Sequence, residues 1–166
     1  MAYRCIDAKT TVEFYRDILG MPFQMAIAED RVPSTGEEDP YMHVFLDTGK
    51  GSSIAFFELP NSQPMGRDEN TPEWVQHIAF KLDDMNELER MHANLEDRQI
   101  DVLGPIDHGI FDSIYFFDPN GHRLEFAVNK GSEAQLRSLS DVALDMLEEW
   151  DQTRRAPKHA DWLHKR

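Results

Sequence analysis

The sequence predicts an α+β fold made of two βαβββ modules, residues 1–60 and 74–128, in one domain over 1–130. A helical extension follows over 131–166. Three observations predict this. The order strand, helix, three strands is read twice along the chain. Each of the two helices opens on an aspartate, Asp7 and then Asp84. The 166 residues suit one large domain, and a lone four-stranded sheet leaves a face uncovered, so the two modules are expected to share a core.

The first module starts with a short strand, Ala2 to Ile6. Asp7 caps a helix over 8–19, and Gly20 stops it. Val12, Tyr15 and Leu19 form its apolar stripe, flanked by Phe14 and Ile18. Strand-like runs follow at 24–28, 43–47 and 53–59. The acidic, Pro- and Gly-containing stretch 29–40 reads as a solvated loop, and 61–73 as a linker.

The second module repeats the pattern. Residues 74–82 read as a strand, with His77 inside it. Asp84 to Glu87 resembles a capping box and starts a helix running to about Arg98. Further strands are read at 101–103, 113–117 and 122–128. Beyond Asn129, Ser132 and Gln135 again fit a capping box. Leu136, Leu139, Ala143, Met146, Leu147 and Trp150 then recur at helical spacing to about Gln152, a face for packing on the domain or on a second subunit. The basic tail 153–166 offers Trp162 and Leu163 as anchors.

Seventeen Lys and Arg stand against 31 Asp and Glu, a net charge of −14. Such a polyanion is a poor partner for nucleic acid or anionic lipid. The apolar run Ile54 to Phe57 is far too short to span a membrane, and Arg4, Asp7 and Lys9 argue against a signal peptide. The single cysteine, Cys5, excludes an internal disulfide framework and fits the reducing cytoplasm.

Glu58 and Glu125 both lie late in otherwise apolar strands, where a carboxylate is costly unless paired or bound to metal. With His77 they are the ligand types of Fe(II), Mn, Zn or Ni. The competing reading turns each glutamate to solvent or to an arginine such as Arg67 or Arg123.

The run Val12 to Gly20 resembles the opening of the vicinal-oxygen-chelate superfamily, which includes glyoxalase I, bleomycin- and fosfomycin-resistance proteins and extradiol dioxygenases. Gln76 to Phe80 and Asp118 to Glu125 resemble its second-module signatures, and the likeness covers about residues 1–128. It implies a curved mixed sheet folded around a metal site, with Glu58, His77 and Glu125 as ligands and a divalent cofactor, Fe(II) or Mn(II) before Ni or Zn. A fourth ligand position, matching His77, falls at position 0. An upstream start, a three-ligand site and a silent site all stay open.

A longer pattern, His108 followed after five residues by Ile114, Tyr115 and Asp118 to Glu125, resembles the extradiol dioxygenase signature. That likeness implies that His108 and Tyr115 hydrogen-bond a bound diol and its oxygen-derived intermediate. Two departures weigh against it. The region of the expected acid–base histidine, Gly49 to Ser53, has none, leaving Lys50 or His43 as substitutes. Glu58 matches a glyoxalase ligand, with Glu58 and Glu125 suited to proton transfer next to a carbonyl. The remaining readings are packing roles for Tyr115 and His43 and a turn role for His122.

The expectation is therefore a metal-dependent dioxygenase acting on a small aromatic diol, with His108, Tyr115 and Glu58 as catalytic residues. A glyoxalase- or epimerase-type enzyme is the alternative, and metal-free sequestration of a small molecule is the third. The partner is a small-molecule substrate, and a homodimer is possible.

Overall fold

The computed structural model describes residues 1–157. Trp162 and Leu163, the anchors expected in the tail, lie outside the described residues. Two βαβββ modules are present, each with its own four-stranded mixed sheet. The first sheet has the order β1 (Ala2–Cys5), β4 (Ser52–Glu58), β3 (Glu38–Gly49), β2 (Phe23–Arg31). The second has the same order in β5 (Ile78–Lys81), β8 (Arg123–Asn129), β7 (Phe111–Phe117), β6 (Leu103–Asp107). The parallel pairs are β1 with β4 and β5 with β8, each joined by a crossover that contains the module's helix.

Both helices start as the sequence dictates. The Asp7 carboxylate accepts from Thr10 N at 2.6 Å and the Asp84 carboxylate from Glu87 N at 2.9 Å. Helix α1 (Ala8–Glu13) is shorter than expected, because residues Phe14–Ile18 form a π-helical turn closed by Leu19 N on Phe14 O. That turn buries the adjacent Phe14 and Tyr15 together, and the Tyr15 ring meets Phe56 at 4.9 Å between centroids. Helix α2 (Met85–Asp97) buries Leu88 and Leu95. A single apolar cluster runs through both modules, from Cys5, Tyr15, Ile54 and Phe56 to Leu88, Ile114, Leu124 and Phe126. Each such side chain, once buried, contributes about 1.5–3 kcal/mol.

Several boundaries differ from the sequence reading. The expected strand 74–82 begins only at Ile78; Trp74 and Val75 sit in a turn, exposed. The loop expected over 29–40 shrinks to 32–37, because β2 and β3 continue as a ribbon whose end is held by Arg31 on Glu38 at 3.0 Å. All of β2 is exposed, so its polar residues imitate a loop in composition. The second strand of module two lies at 103–107 rather than 101–103. The C-terminal helix is two helices, α3 (Glu133–Asp141) and α4 (Ala143–Thr153), meeting at Val142, which ends one and starts the other at φ −102° and ψ 0°.

The modules are joined by the turn between β7 and β8. Asn120 Oδ1 accepts from Ile6 N at 2.8 Å, Asp118 Oδ2 accepts from the buried Tyr15 hydroxyl at 3.1 Å, and His122 Nε2 donates to Arg4 O at 2.8 Å. The Asp-Pro-Asn-Gly-His run thus ties module two to β1 and α1. The turn role read for His122 is its observed place, extended by this bond across the module boundary.

Candidate metal and active site

Neighbouring residues across paired strands point to one side of a sheet. In the second sheet Ala79, Glu125 and Tyr115 are in register, as are Ser113 and Ala127. Their face is opposite the one on which Leu124, Phe126 and Val128 join the core. Glu125 is 4% exposed there, a carboxylate buried in a strand. Its partners account for that. Ser113 Oγ donates a short hydrogen bond to Oε1, Tyr115 donates to the same oxygen at 3.0 Å, and Oε2 stands 2.9 Å from His77 Nε2.

The proton count at His77 is informative. Its Nδ1 lies 3.1 Å from the carbonyl of Val75, which can only accept, so Nδ1 carries the proton. In the neutral ring Nε2 then presents a lone pair to the ionised Glu125 Oε2 at 2.9 Å. Two acceptors face each other, and a proton or a cation between them is what relieves the contact. Two donors about 2.1 Å from one first-row ion, at about a right angle, are themselves about 3 Å apart. A ligating histidine whose other N–H is held by a carbonyl is also the usual arrangement around such ions. The donor set therefore fits a divalent cation. Among the described residues no group of three His, Cys, Asp or Glu side chains converges, so His77 and Glu125 are the pair the chain brings together.

Tyr115 also lies 3.0 Å from His108 Nε2. Because the Tyr115 proton goes to Glu125, the donor in this bond is His108 Nε2–H. The result is a chain from His108 to Tyr115 to Glu125. Burial first, then the neighbouring Glu125 carboxylate, push the Tyr115 hydroxyl above the ordinary phenol value. His108 sits in the bend between β6 and β7, its ring stacked on Phe111 at 4.7 Å. Lys130 ties both sides of that hairpin, with Nζ 2.7 Å from Asp107 and 2.7 Å from Asp112.

Glu58 is a correction. The repeat read from sequence matched it with Glu125, and the strand register does not. Ala2 pairs with Ala55, and 77 positions on Ala79 pairs with Glu125, so Ala55 is the counterpart of Glu125. Glu58 pairs with Cys5, which is buried in the core, and so points to the helix side of its sheet. There its Oε2 accepts from Ala8 N at 2.7 Å, capping α1. The other expected substitutes have their contacts elsewhere. His43 stacks on Phe57 at 3.6 Å and burial lowers its pKa, and Lys50 occupies the β3–β4 turn at φ 54°. Arg67 pairs with Glu73, and Arg123 lies over the Tyr115 ring, so neither arginine pairs with Glu125.

Ser113 was missed in the sequence, and Arg123 was weighed there only as an ion-pair partner for a glutamate. Ser113 carried a weak signal, since it stands two residues before Tyr115 and so shares its face. Arg123 carried the same signal relative to Glu125.

The fold defines a protein of paired βαβββ modules, each with a four-stranded mixed sheet. The chain belongs to the Glyoxalase/Bleomycin resistance protein/Dioxygenase superfamily, whose model matches residues 1–126. Biphenyl-2,3-diol 1,2-dioxygenase 3 of Rhodococcus globerulus is 29% identical over 94 residues, 55% of this chain and 48% of that one. The chain thus spans about half that relative's length. Metallothiol transferase FosB of Staphylococcus epidermidis is 31% identical over 130 residues, 75% of this chain and 78% of its own. Lactoylglutathione lyase of Haemophilus influenzae is 28% identical over 135 residues, 78% and 90% of the two chains. Among solved structures, a glyoxalase/bleomycin resistance/dioxygenase domain from Frankia has a TM-score of 0.62 at 18% identity, covering 78% of this chain and 94% of that one. Glyoxalase I of Leishmania major has 0.58 at 20%, covering 90% and 94%. These two show the fold alone. Among the described residues no helix is long and apolar enough to cross a membrane.

Proposed function

We propose that the protein is a metal-dependent ring-cleaving dioxygenase acting on a small aromatic diol. The observation that carries this reading is the hydrogen-bonded chain from His108 through Tyr115 to Glu125, beside the contact of Glu125 with His77. His77 and Glu125 would hold the ion, Fe(II) or Mn(II) in preference to Ni or Zn. When bound, the ion supplies a site at which a diolate and O₂ meet. The overall reaction balances without another reductant, since both oxygen atoms enter the product as the ring C–C bond next to the diol opens.

The chain's own residues have definite tasks in this reading. Tyr115 O–H and His108 N–H are donors placed beside Glu125, and in this reading a bound diol takes over their hydrogen bonds, so that they stabilise negative charge developing on its oxygen. Ser113 fixes the rotamer of Glu125 through Oε1, leaving Oε2 to face His77. The glyoxalase alternative loses its second glutamate, since Glu58 lies on the helix side. Two of the relatives are named as dioxygenases, one of biphenyl-2,3-diol and the other the putative ring-cleaving dioxygenase MhqA of Bacillus subtilis, and these names support the reading. Pairing of two copies through α4 belongs to the same reading, with Leu144 77% and Leu147 62% exposed as its support. Sedimentation velocity checks it.

The test is oxygen uptake by Fe(II)-loaded protein over a panel of catechols. Uptake with a stoichiometric yellow ring-opened product supports the reading. A flat trace across the panel removes it. In an active enzyme Tyr115→Phe lowers kcat by about 10²–10³, the cost of one preorganised donor.

A further inference from the structure

Arg123 stands two positions before Glu125 on β8 and on the same face. Its guanidinium carbon is 4.4 Å from the centroid of the Tyr115 ring, and the centroid of the His77 ring is 5.9 Å from the same point. Arg123 and His77 line a common cavity of about 830 Å³ between the linker around Arg67 and the β7–β8 turn. The cavity's other charged side chains have partners. Arg67 holds Glu73 at 2.9 Å, and Asp68 accepts from the Thr71 hydroxyl and from Asn70 N. Among the described residues no carboxylate forms an ion pair with Arg123; the Tyr115 ring is its recorded contact. A guanidinium over an aromatic ring keeps N–H groups for a further partner, and its planar fork matches a carboxylate in two parallel hydrogen bonds.

We propose that Arg123 selects the substrate by binding a carboxylate on its ring, so that the substrates are aromatic diols bearing an acid group rather than neutral catechols. This rests on the diol reading given above. The chain's charge of −14 does not oppose it, because exposed charges are screened beyond about 8 Å at physiological salt while a guanidinium in contact acts at short range.

Isothermal titration of the full-length protein supplied with Zn(II), an ion without redox chemistry, tests the proposal with four probes: 3,4-dihydroxybenzoate, catechol, benzoate and phenol. The wild type is expected to bind 3,4-dihydroxybenzoate at least about tenfold more tightly than catechol, the value of a charge-assisted hydrogen bond. In Arg123→Met that ratio falls towards one, and Arg123→Lys, which keeps the charge without the fork, lies between. Circular dichroism melts confirm that both variants fold. A ratio near one in the wild type, or one unchanged in Arg123→Met, overturns the assignment and leaves the diol reading standing. Benzoate binding that depends on Arg123, with no catechol binding, supports the anion site and removes the diol reading. No binding of any probe overturns both.

Discussion

The Tyr15 hydroxyl donates to Asp118 at 3.1 Å across the boundary between the two modules, and Tyr15 is fully buried there. A residue of the first helix thus fixes the turn that leads directly into the strand carrying Glu125. Tyr15→Phe removes the donor and leaves Asp118 5% exposed with one bond fewer. The expected loss is about 1.5–3 kcal/mol, read from urea unfolding. Burial holds the Tyr15 proton well above the ordinary phenol value. Its share of stability is therefore complete below pH about 10 and is lost as pH rises beyond that, because the unfolded chain releases the proton first. The alkaline slope of wild-type stability should be shallower in Tyr15→Phe. An equal slope contradicts this.

Glu58 and Glu125 separate by consequence. Glu58→Gln weakens the cap on Ala8 N and costs about 1 kcal/mol in stability without changing metal content. Thermal melts with metal analysis of the same sample check it. Metal loss in Glu58→Gln would return Glu58 to the site.

The module order and both aspartate caps were legible in the sequence, because they rest on local chemistry. His77 and Glu125 were named there as candidate ligands through the resemblance, but His77 stands just before β5 rather than inside a strand, so its contact with Glu125 comes from the fold. The place of Glu58 was not legible. Its distance from the strand end looks like that of Glu125, and only the parallel register with β1 shows which side it faces. The outer part of the β2–β3 ribbon was underread for a different reason: Glu29 to Arg31 are exposed and charged, Glu38 to Pro40 are acidic and Pro-containing, and both read as loop. The intermodule bonds of Asp118, Asn120 and His122 join residues more than one hundred positions apart, beyond the reach of any local pattern.

Gly104 is held at φ +123°, and a Cβ there would come within 2.6 Å of the Ser113 carbonyl oxygen. Gly104→Ala must shift β7 at the residue that orients Glu125. A destabilisation of about 2–4 kcal/mol is expected from strain and overpacking together. Urea unfolding of the metal-free protein reads it directly, and a cost below about 1 kcal/mol contradicts this geometry.

Cys5 is 1% exposed, and burial pushes its thiol up to about 11. At pH 8 the folded protein should react with a disulfide reagent only as fast as it opens, and rapidly once unfolded. Because the folded value is raised from 9.0, the thiol's contribution to stability is present below pH 9.0 and declines as pH rises to about 11. Fast labelling of native protein at pH 8 would show Cys5 to be accessible.

The central claim is that His77 and Glu125 hold a divalent metal ion. Its most direct test is the metal content of Fe(II)-loaded protein after anaerobic desalting, measured by mass spectrometry for the wild type and for His77→Ala, Glu125→Gln and Glu58→Gln. One ion per chain in the wild type and in Glu58→Gln, with none in His77→Ala or Glu125→Gln, is the predicted result. A wild type without metal, or a Glu125→Gln protein that retains the full ion, contradicts the claim.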